Sequence, residues 1–341
     1  MFHQNINLPL ITESVNLTSL DLQDVLSSHN LSFRKVFVLT GGPHSSLFAD
    51  ILLKNNRTNI AHVIRNTDNS LEFVSRIKPL VYEKKADLII GIGGGAVLDT
   101  AKYLATKTKL PYIAVPTVVS SDALASPISI LKNENSTKSY SAQIPSGILI
   151  DYDVIVSSGE EHIHSGLGDI LSNISALNDW DLAVKAGKAK PNNFARFLSE
   201  VSVSNILNQN IDIKERNFIK TYINSIIMSG LAMNISGDSR PCSGSEHLVS
   251  HALFSLGINK DSHGFTVGSL TPFCLFLQNK LTDQVLGKVK AIKLNPALLE
   301  SVDLQEIFET AKIIRGHRYT VLNKYSLTEI DEKFSEFRKL I

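Results

Sequence analysis

The side chains best able to do chemistry are concentrated between Asp238 and Gly268. The stretch reads Asp238-Ser-Arg-Pro-Cys-Ser-Gly-Ser-Glu-His247-Leu-Val-Ser-His251, and slightly later Asp261-Ser-His263-Gly264. If 245–256 is a helix, His247 and His251 project from one face, one turn apart. His263 follows just beyond that helix. Imidazoles this close suit a divalent metal such as Zn²⁺. A lone His-x-x-x-His pair is usually incidental, but Gly166-Leu-Gly168-Asp169 offers a carboxylate at the start of another predicted helix. One carboxylate and two imidazoles would leave a coordination position open for substrate, as a catalytic metal requires. The plain alternative for Asp169 is a helix cap. On spacing alone, either His247 or His251 can be the ligand.

A second candidate is Gly91-Ile-Gly93-Gly94-Gly95-Ala96-Val97-Leu-Asp99. It lies between a predicted strand and a predicted helix, where glycine lets backbone and helix N-terminus approach a pyrophosphate. A tight turn is the alternative, although three consecutive glycines exceed what one turn needs. The hydroxyl-rich segment Pro116-Thr117-Val-Val-Ser120-Ser121-Asp122-Ala-Leu-Ala-Ser126-Pro127 follows the next strand. Loops after strand C-termini line the ligand crevice of an open parallel sheet. These hydroxyls can therefore meet a cofactor and Asp122 a substrate hydroxyl; a solvated loop is the alternative.

The elements that must position these groups change character along the chain. Strands are expected at 34–40, 60–64, 87–92 and 111–116, alternating with helices at 46–55, 70–84 and 96–106. That alternation predicts an α/β, doubly wound, Rossmann-like domain with a mostly parallel sheet. Segments 128–131, 139–142 and 147–151 look like short strands or a hairpin completing the sheet. Thereafter helical periods dominate: 168–185, 193–209, 214–234, 245–256, 264–278, 283–291, 296–302, 304–315 and 327–340. Hence two domains are expected: residues 1–155 dinucleotide-binding and residues 156–341 all-helical, holding metal and substrate.

At 341 residues the chain is long enough for two cores. Its formal net charge of +1 excludes a broad electrostatic footprint for nucleic acid. The two cysteines offer no disulfide framework and fit a reducing compartment. Cys242 reads as a small buried residue and not as a nucleophile. The N-terminal residues carry no leader pattern, and no apolar run reaches the ~18 residues of a membrane span. A cytoplasmic protein is expected. His3, His29, His44, His62 and His317 have no chemical company, and His162 and His164 are expected on the surface or in loops.

Taken together and in order, Gly-x-Gly-Gly-Gly-x-x-x-Asp, Pro-Thr-x-x-Ser-x-Asp-x-x-x-Ser-Pro, Gly-x-Gly-Asp and Gly-Ser-Glu-His-x-x-Ser-His…His-Gly resemble the metal-dependent polyol dehydrogenase superfamily. That superfamily contains iron-type alcohol dehydrogenases, glycerol dehydrogenases and dehydroquinate synthases. The sn-glycerol-1-phosphate dehydrogenase subfamily is the nearest, on 116–127, 240–253 and Leu177-Asn-Asp179-Trp180-Asp-Leu-Ala183. The match runs from about residue 34 to 275. The resemblance implies a dehydroquinate synthase-like fold and an oxidoreductase interconverting dihydroxyacetone phosphate and sn-glycerol 1-phosphate. It places Gly93, Gly94, Gly95, Ala96 and Val97 along the phosphates of NAD or NADP. Thr117, Ser120 and Ser126 would meet the nicotinamide half. Asp169, His247 and His263 would hold one divalent metal, with zinc first and nickel or iron as alternatives. His251 and Asp122 would face the substrate, making His251, Asp122 and Asp169 the catalytic set. Glu246 would support His247 from behind.

The chain departs from the subfamily at Ala96, where Lys is usual, and at Phe265, where Glu follows His-Gly. No acidic residue ends the strand at Thr40-Gly41-Gly42, so nothing there rejects a 2′-phosphate. Asn173 stands where iron-type alcohol dehydrogenases have a histidine. Asp169 stands where dehydroquinate synthases have Glu, and their Gly-His-x-x-Gly-His segment is replaced by Glu246-His247-Leu-Val-Ser-His251. Alternatives are thus another polyol or alcohol dehydrogenase, a dehydroquinate synthase-like lyase, or a catalytically dead binding module. A small phosphorylated polyol is the expected partner, and Arg240, Lys185 and Lys190 are candidates for its phosphate. A homo-oligomer is expected.

Overall fold

The computed structural model describes residues 8–14, 16–19, 21–28, 31–54, 59–134, 136–259, 261–300 and 302–341. His3, His29 and the segment 1–6, read above for a leader, lie outside the described residues. The chain divides into two compact units, Met1–Val119 with Ala123–Gly159, and Ser120–Asp122 with Glu160–Ile341.

The first unit runs β1 (Leu10–Ser14), α1 (Leu22–Ser28), β2 (Val36–Thr40), α2 (Pro43–Lys54), β3 (Ile60–Ile64), α3 (Leu71–Glu83), β4 (Leu88–Gly93), α4 (Gly95–Thr108), β5 (Tyr112–Pro116), β6 (Ile128–Asn133), β7 (Ser136–Ser141), β8 (Gly147–Asp151) and α5 (Tyr152–Ser157). Six strands form an all-parallel sheet in the order β1-β8-β5-β4-β2-β3. The four inner strands are buried along their whole length, as a sheet covered on both faces demands. The chain moves outward from β2 to β3, then returns to the other side of β2 as β4. That reversal makes the ends of β2 and β4 a topological switch point, the usual ligand position in such sheets.

One expectation for this unit is corrected, and one strand is added to those expected. Segments 128–133 and 136–141 do not complete the sheet but pair with each other as a separate antiparallel hairpin. The sheet gains β1 in their place, paired to β8, where its half-buried alternation marks an edge strand too weak to read from five residues. Buried Lys102 and Asp99 explain the hairpin's position. They form an ion pair at 3.0 Å. Lys102 Nζ also donates to the carbonyls of Ala123 (2.8 Å), Ser126 (3.1 Å) and Ile128 (2.5 Å), while Asp99 Oδ2 accepts the Ile130 N–H at 3.0 Å. The aspartate of the glycine motif thus ties α4 to β6, and Lys102 ties it to the loop after β5.

The second unit is helical: α6 (Glu160–Lys185), α7 (Asn193–Leu207), α8 (Arg216–Ser236), α9 (Ser245–Ser255), α10 (His263–Leu277), α11 (Asp283–Ala291), α12 (Leu304–Ile314) and α13 (Leu327–Phe337). Phe273, Phe308, Phe334 and Phe337 centre a core shared by α9, α10, α12 and α13. Residues 296–300 are successive turns and not the expected helix. Asn295 Oδ1 captures the Ala297 N–H at 3.1 Å, and the backbone closes short bonds from Leu298 to Asn295 and from Glu300 to Ala297.

Helix α6 starts at Glu160, not at Gly168, with Glu160 and Glu161 suiting the positive N-terminal end of its dipole. Gly166 and Gly168 therefore lie inside a helix, where each costs roughly 1 kcal/mol relative to alanine. Packing explains them. A Cβ on Gly168 would run into the Gly264 carbonyl, one on Gly264 into the Ser165 carbonyl, and one on Gly268 would sit 2.6 Å from Gly168 Cα. A Cβ on Gly166 would overlap the Tyr222 hydroxyl. These glycines let α6 and α10 touch backbone to backbone.

Candidate metal and substrate centre

The α6–α10 crossing decides where Asp169 goes. It lies well inside α6 and caps nothing; its buried carboxylate meets the start of α10, where His263 is the first residue. Helix α9 supplies His247. The Nε2 atoms of His247 and His263 each lie 3.8 Å from Asp169 Oδ1. One ligand atom from each of Asp169, His247 and His263 falls within 4.8 Å of the others. Donors about 2.1 Å from a tetrahedral ion are roughly 3.4 Å apart, so small side-chain rotations bring this set to coordination spacing.

Each donor is prepared for that task. Burial pushes the Asp169 carboxyl up to about 7, with nearby Glu246 adding to the rise and the Asp122 N–H, donating to Oδ2 at 3.1 Å, opposing it. An ion would relieve that burial cost. His247 Nδ1 is 2.8 Å from Glu246 Oε1, which also accepts the Gly244 N–H at 2.7 Å. With the proton on Nδ1, the Nε2 lone pair is left for a ligand. Burial holds the pKa of all three histidines down: His247 and His251 well below the ordinary value, His263 less so because Asp122 opposes. Neutral imidazoles and a buried carboxylate with no cation among them are a donor set that fits a divalent metal.

His251 belongs to the cluster but not to the donor set. Its ring centroid is 6.5 Å from that of His247 and 6.2 Å from that of His263, while those two are 5.0 Å apart. It is partly exposed, beside the ligand atoms. Ser120 and Asp122 fold with the helices, and the Ser120 carbonyl accepts a bond from Ser165 Oγ at 3.1 Å.

The glycine turn belongs to the first unit. Gly94 precedes α4 without any side-chain cap, and Ala96 is exposed. A Cβ on Gly94 would meet nothing nearer than the Val118 side chain at 3.5 Å, and one on Gly95 only Ala123 at 3.6 Å. This open cradle before an uncapped fourteen-residue helix fits an anionic group such as a pyrophosphate. Gly93 differs, since its Cβ would meet Val97 at 2.7 Å. The hydroxyls of Thr117 and Ser126 are buried and turned inward. Thr117 Oγ1 bonds Ser45 Oγ at 2.9 Å, and Ser126 Oγ faces the Ile128 carbonyl at 3.4 Å.

Other expectations sort cleanly. Cys242 is buried against Ser229, and burial pushes its thiol pKa up, as suits an inert residue. Asn173 is buried and donates to Ser229 Oγ at 3.1 Å. His162 and His164 lie in α6 and not in a loop, and His164 is buried. Lys185 is removed as a phosphate candidate. Lys185 ends α6, sixteen positions past Asp169, so about 24 Å along the axis. Lys190, five residues further on, is also exposed. Two side chains that no spacing singled out stand near the histidines instead. Arg315 and Arg318 lie in the turn after α12, and both help keep His247 and His251 neutral. An Arg-x-x-Arg pair after an amphipathic helix reads in sequence as a solvated surface.

The comparisons with known proteins agree with this construction. Residues 17–158 match the iron-containing alcohol dehydrogenase family. The chain is 30% identical to glycerol-1-phosphate dehydrogenase [NAD(P)+] of Methanosphaera stadtmanae, covering 96% of each chain. It is 32% identical to the enzyme of the same name from Thermoplasma acidophilum, covering 78% of each. Its fold matches that of a probable glycerol dehydrogenase from Sinorhizobium meliloti with a TM-score of 0.75, at 15% identity over 97% of this chain and 96% of that one. Among the described residues no helix is long and apolar enough to cross a membrane. With the Asp169–His247–His263 cluster, the glycine turn and these matches in place, the chain belongs to the glycerol-1-phosphate dehydrogenase family, within the iron-containing alcohol dehydrogenases.

Proposed function

We propose that this protein interconverts dihydroxyacetone phosphate and sn-glycerol 1-phosphate with NAD(P)H and one divalent metal. The observation that carries it is the convergence of Asp169, His247 and His263 in a member of this family. Those three would hold the ion, and Gly93–Val97 would seat the cofactor's phosphates. A bound ion supplies Lewis acidity at the C2 oxygen, and the nicotinamide supplies hydride. The protein's own residues do the rest. Glu246 keeps His247 in the tautomer that presents Nε2. Asp122 steadies Asp169 through its N–H and would face the substrate. His251, held neutral by burial, can orient a water or donate its ring N–H proton to the C2 oxygen while its other nitrogen takes a proton from water. Zinc is the metal we favour, and NAD and NADP are both accommodated because no acidic residue follows β2.

The test is an assay of NAD(P)H oxidation by metal-loaded protein against dihydroxyacetone phosphate, dihydroxyacetone and simple aldehydes. Turnover should be fastest with the phosphorylated ketone. Turnover only with unphosphorylated substrates would make it a polyol or alcohol dehydrogenase. Stoichiometric metal with no turnover on any of them would make it a binding module.

A further inference from the structure

Three arginines cluster beside the histidines of the second unit. Arg318 is buried, and its guanidinium joins two segments: Nη1 donates to the Ser243 carbonyl, and Nη2 to Ser239 Oγ at 2.9 Å. Its backbone N–H bonds the Arg315 carbonyl at 2.7 Å, closing a tight turn that carries both side chains. Arg240 lies in the bridged segment, mostly buried, with Nε 3.3 Å from the half-exposed Asp238. Two buried polar atoms in this place have no hydrogen-bond partner among the described residues, Arg318 Nε and Ser243 Oγ. Burial pulls the Arg318 pKa down to about 10; repulsion from Arg315 and Arg240 adds to the fall, and Asp238 and Glu246 oppose it. Unsatisfied donors and like charges gathered out of water are costly unless an anion completes them.

The location limits which anion. Ser243 stands two residues before α9, whose first two turns carry His247 and His251. After burial, Arg315 is the strongest influence on the His251 imidazole. Arg315 and Arg318 therefore lie close to His251, which the proposed function sets at the substrate.

Resting on the function proposed above, we infer that Arg315, Arg318, Arg240 and Ser243 form the seat for the substrate's phosphate. Arg318 shapes the seat by tying Ser239 and Ser243 to the Arg315 turn. Arg315 and Arg240 supply the charge, and the Ser243 hydroxyl supplies a neutral donor. Planar guanidinium groups suit a phosphoryl group because they donate two parallel bonds to its oxygens. The seat makes phosphate recognition a property of the α9–α12 neighbourhood, separate from the metal ligands.

The experiment measures kcat/KM for dihydroxyacetone phosphate and for dihydroxyacetone, and inhibition by inorganic phosphate, in the wild-type holoenzyme and in Arg315→Gln, Ser243→Ala and Lys185→Ala. Metal content is recorded for each. The ratio of the two kcat/KM values should fall roughly 10- to 100-fold in Arg315→Gln and a few-fold in Ser243→Ala. Inhibition by inorganic phosphate should weaken in parallel, and Lys185→Ala should match wild type. Should Arg315→Gln fold poorly, Ser243→Ala deletes only one oxygen and keeps the test open. If wild type is inhibited by phosphate through Arg315 yet gains nothing from a phosphorylated substrate, the seat stands and the proposed substrate falls. If wild type favours the phosphorylated ketone while both seat variants retain the ratio and the inhibition, the seat is wrong and the function stands.

Discussion

Glycines stand beside both halves of the chemistry, and they do opposite things there. In the turn after β4, the missing Cβ of Gly94 and Gly95 leaves space: only the side chains of Val118 and Ala123 lie within 4 Å. In the helical unit, the missing Cβ atoms of Gly168, Gly264 and Gly268 remove space, because backbone of the opposing helix already occupies it. The first set leaves room that we propose the cofactor's phosphates fill, and the second joins α6 to α10. Glycine before an aspartate suggests close approach of a ligand in the sequence; what approaches Gly168 is another helix. The useful question about such a glycine is which atom its side chain would strike.

The largest effect should come from breaking the helix crossing. Gly264→Ala puts a methyl group against the Ser165 carbonyl, a backbone atom that cannot step aside. We expect a loss of about 3 kcal/mol, at the upper end for overpacking, or roughly 10 °C in Tm for a unit of this size. Bound metal should fall with it, since the same crossing aligns Asp169 with His263. Thermal unfolding and elemental analysis check both; a variant with wild-type Tm and metal would show that α6 and α10 separate easily.

Next comes the division between His247 and His251. His247→Ala should strip the metal and abolish turnover. His251→Ala should retain metal and cofactor binding and lose turnover, because it lies outside the donor set. Metal content beside kcat for the two proteins decides it, and a metal-free His251→Ala enzyme would make both imidazoles ligands.

The smallest effect on the fold belongs to the open glycines. Gly94 has φ −80° and ψ −177°, a conformation any residue adopts. Gly94→Val should change Tm by no more than a few degrees and leave metal in place, while nicotinamide binding weakens roughly 10- to 100-fold as the side chain fills the cradle. Calorimetric titration with NADH and NADPH measures it. Unaltered affinity would return this stretch to the status of an ordinary turn.

Much of this was open to a reader of the sequence because it depends on neighbours along the chain. Buried strands such as β4 and β5 announce themselves as apolar runs, and β3, α11 and β8 start and stop at the residues expected. The edge strand β1 did not, because half its residues face outward. Helix α6 was read eight residues short because glycine signals a break wherever its packing partner is unknown. The residues we propose as metal ligands were recognisable from a resemblance over several motifs. Arg315 and Arg318 were not, because they lie more than sixty residues from His251 and match no motif.

By itself, then, the sequence determined the alternation that builds a parallel sheet and the glycine-bearing turn after β4. These follow from side-chain chemistry and from local backbone preferences. Only the tertiary structure decided that Asp169 is a mid-helix residue brought to His263 by a glycine contact. It alone decided that Thr117 and Ser126 turn their hydroxyls inward, and that Arg318 bridges to the segment before α9. Each of these depends on which helix or loop lies opposite. That is settled by burial and close packing summed over the unit, which no short window of residues encodes.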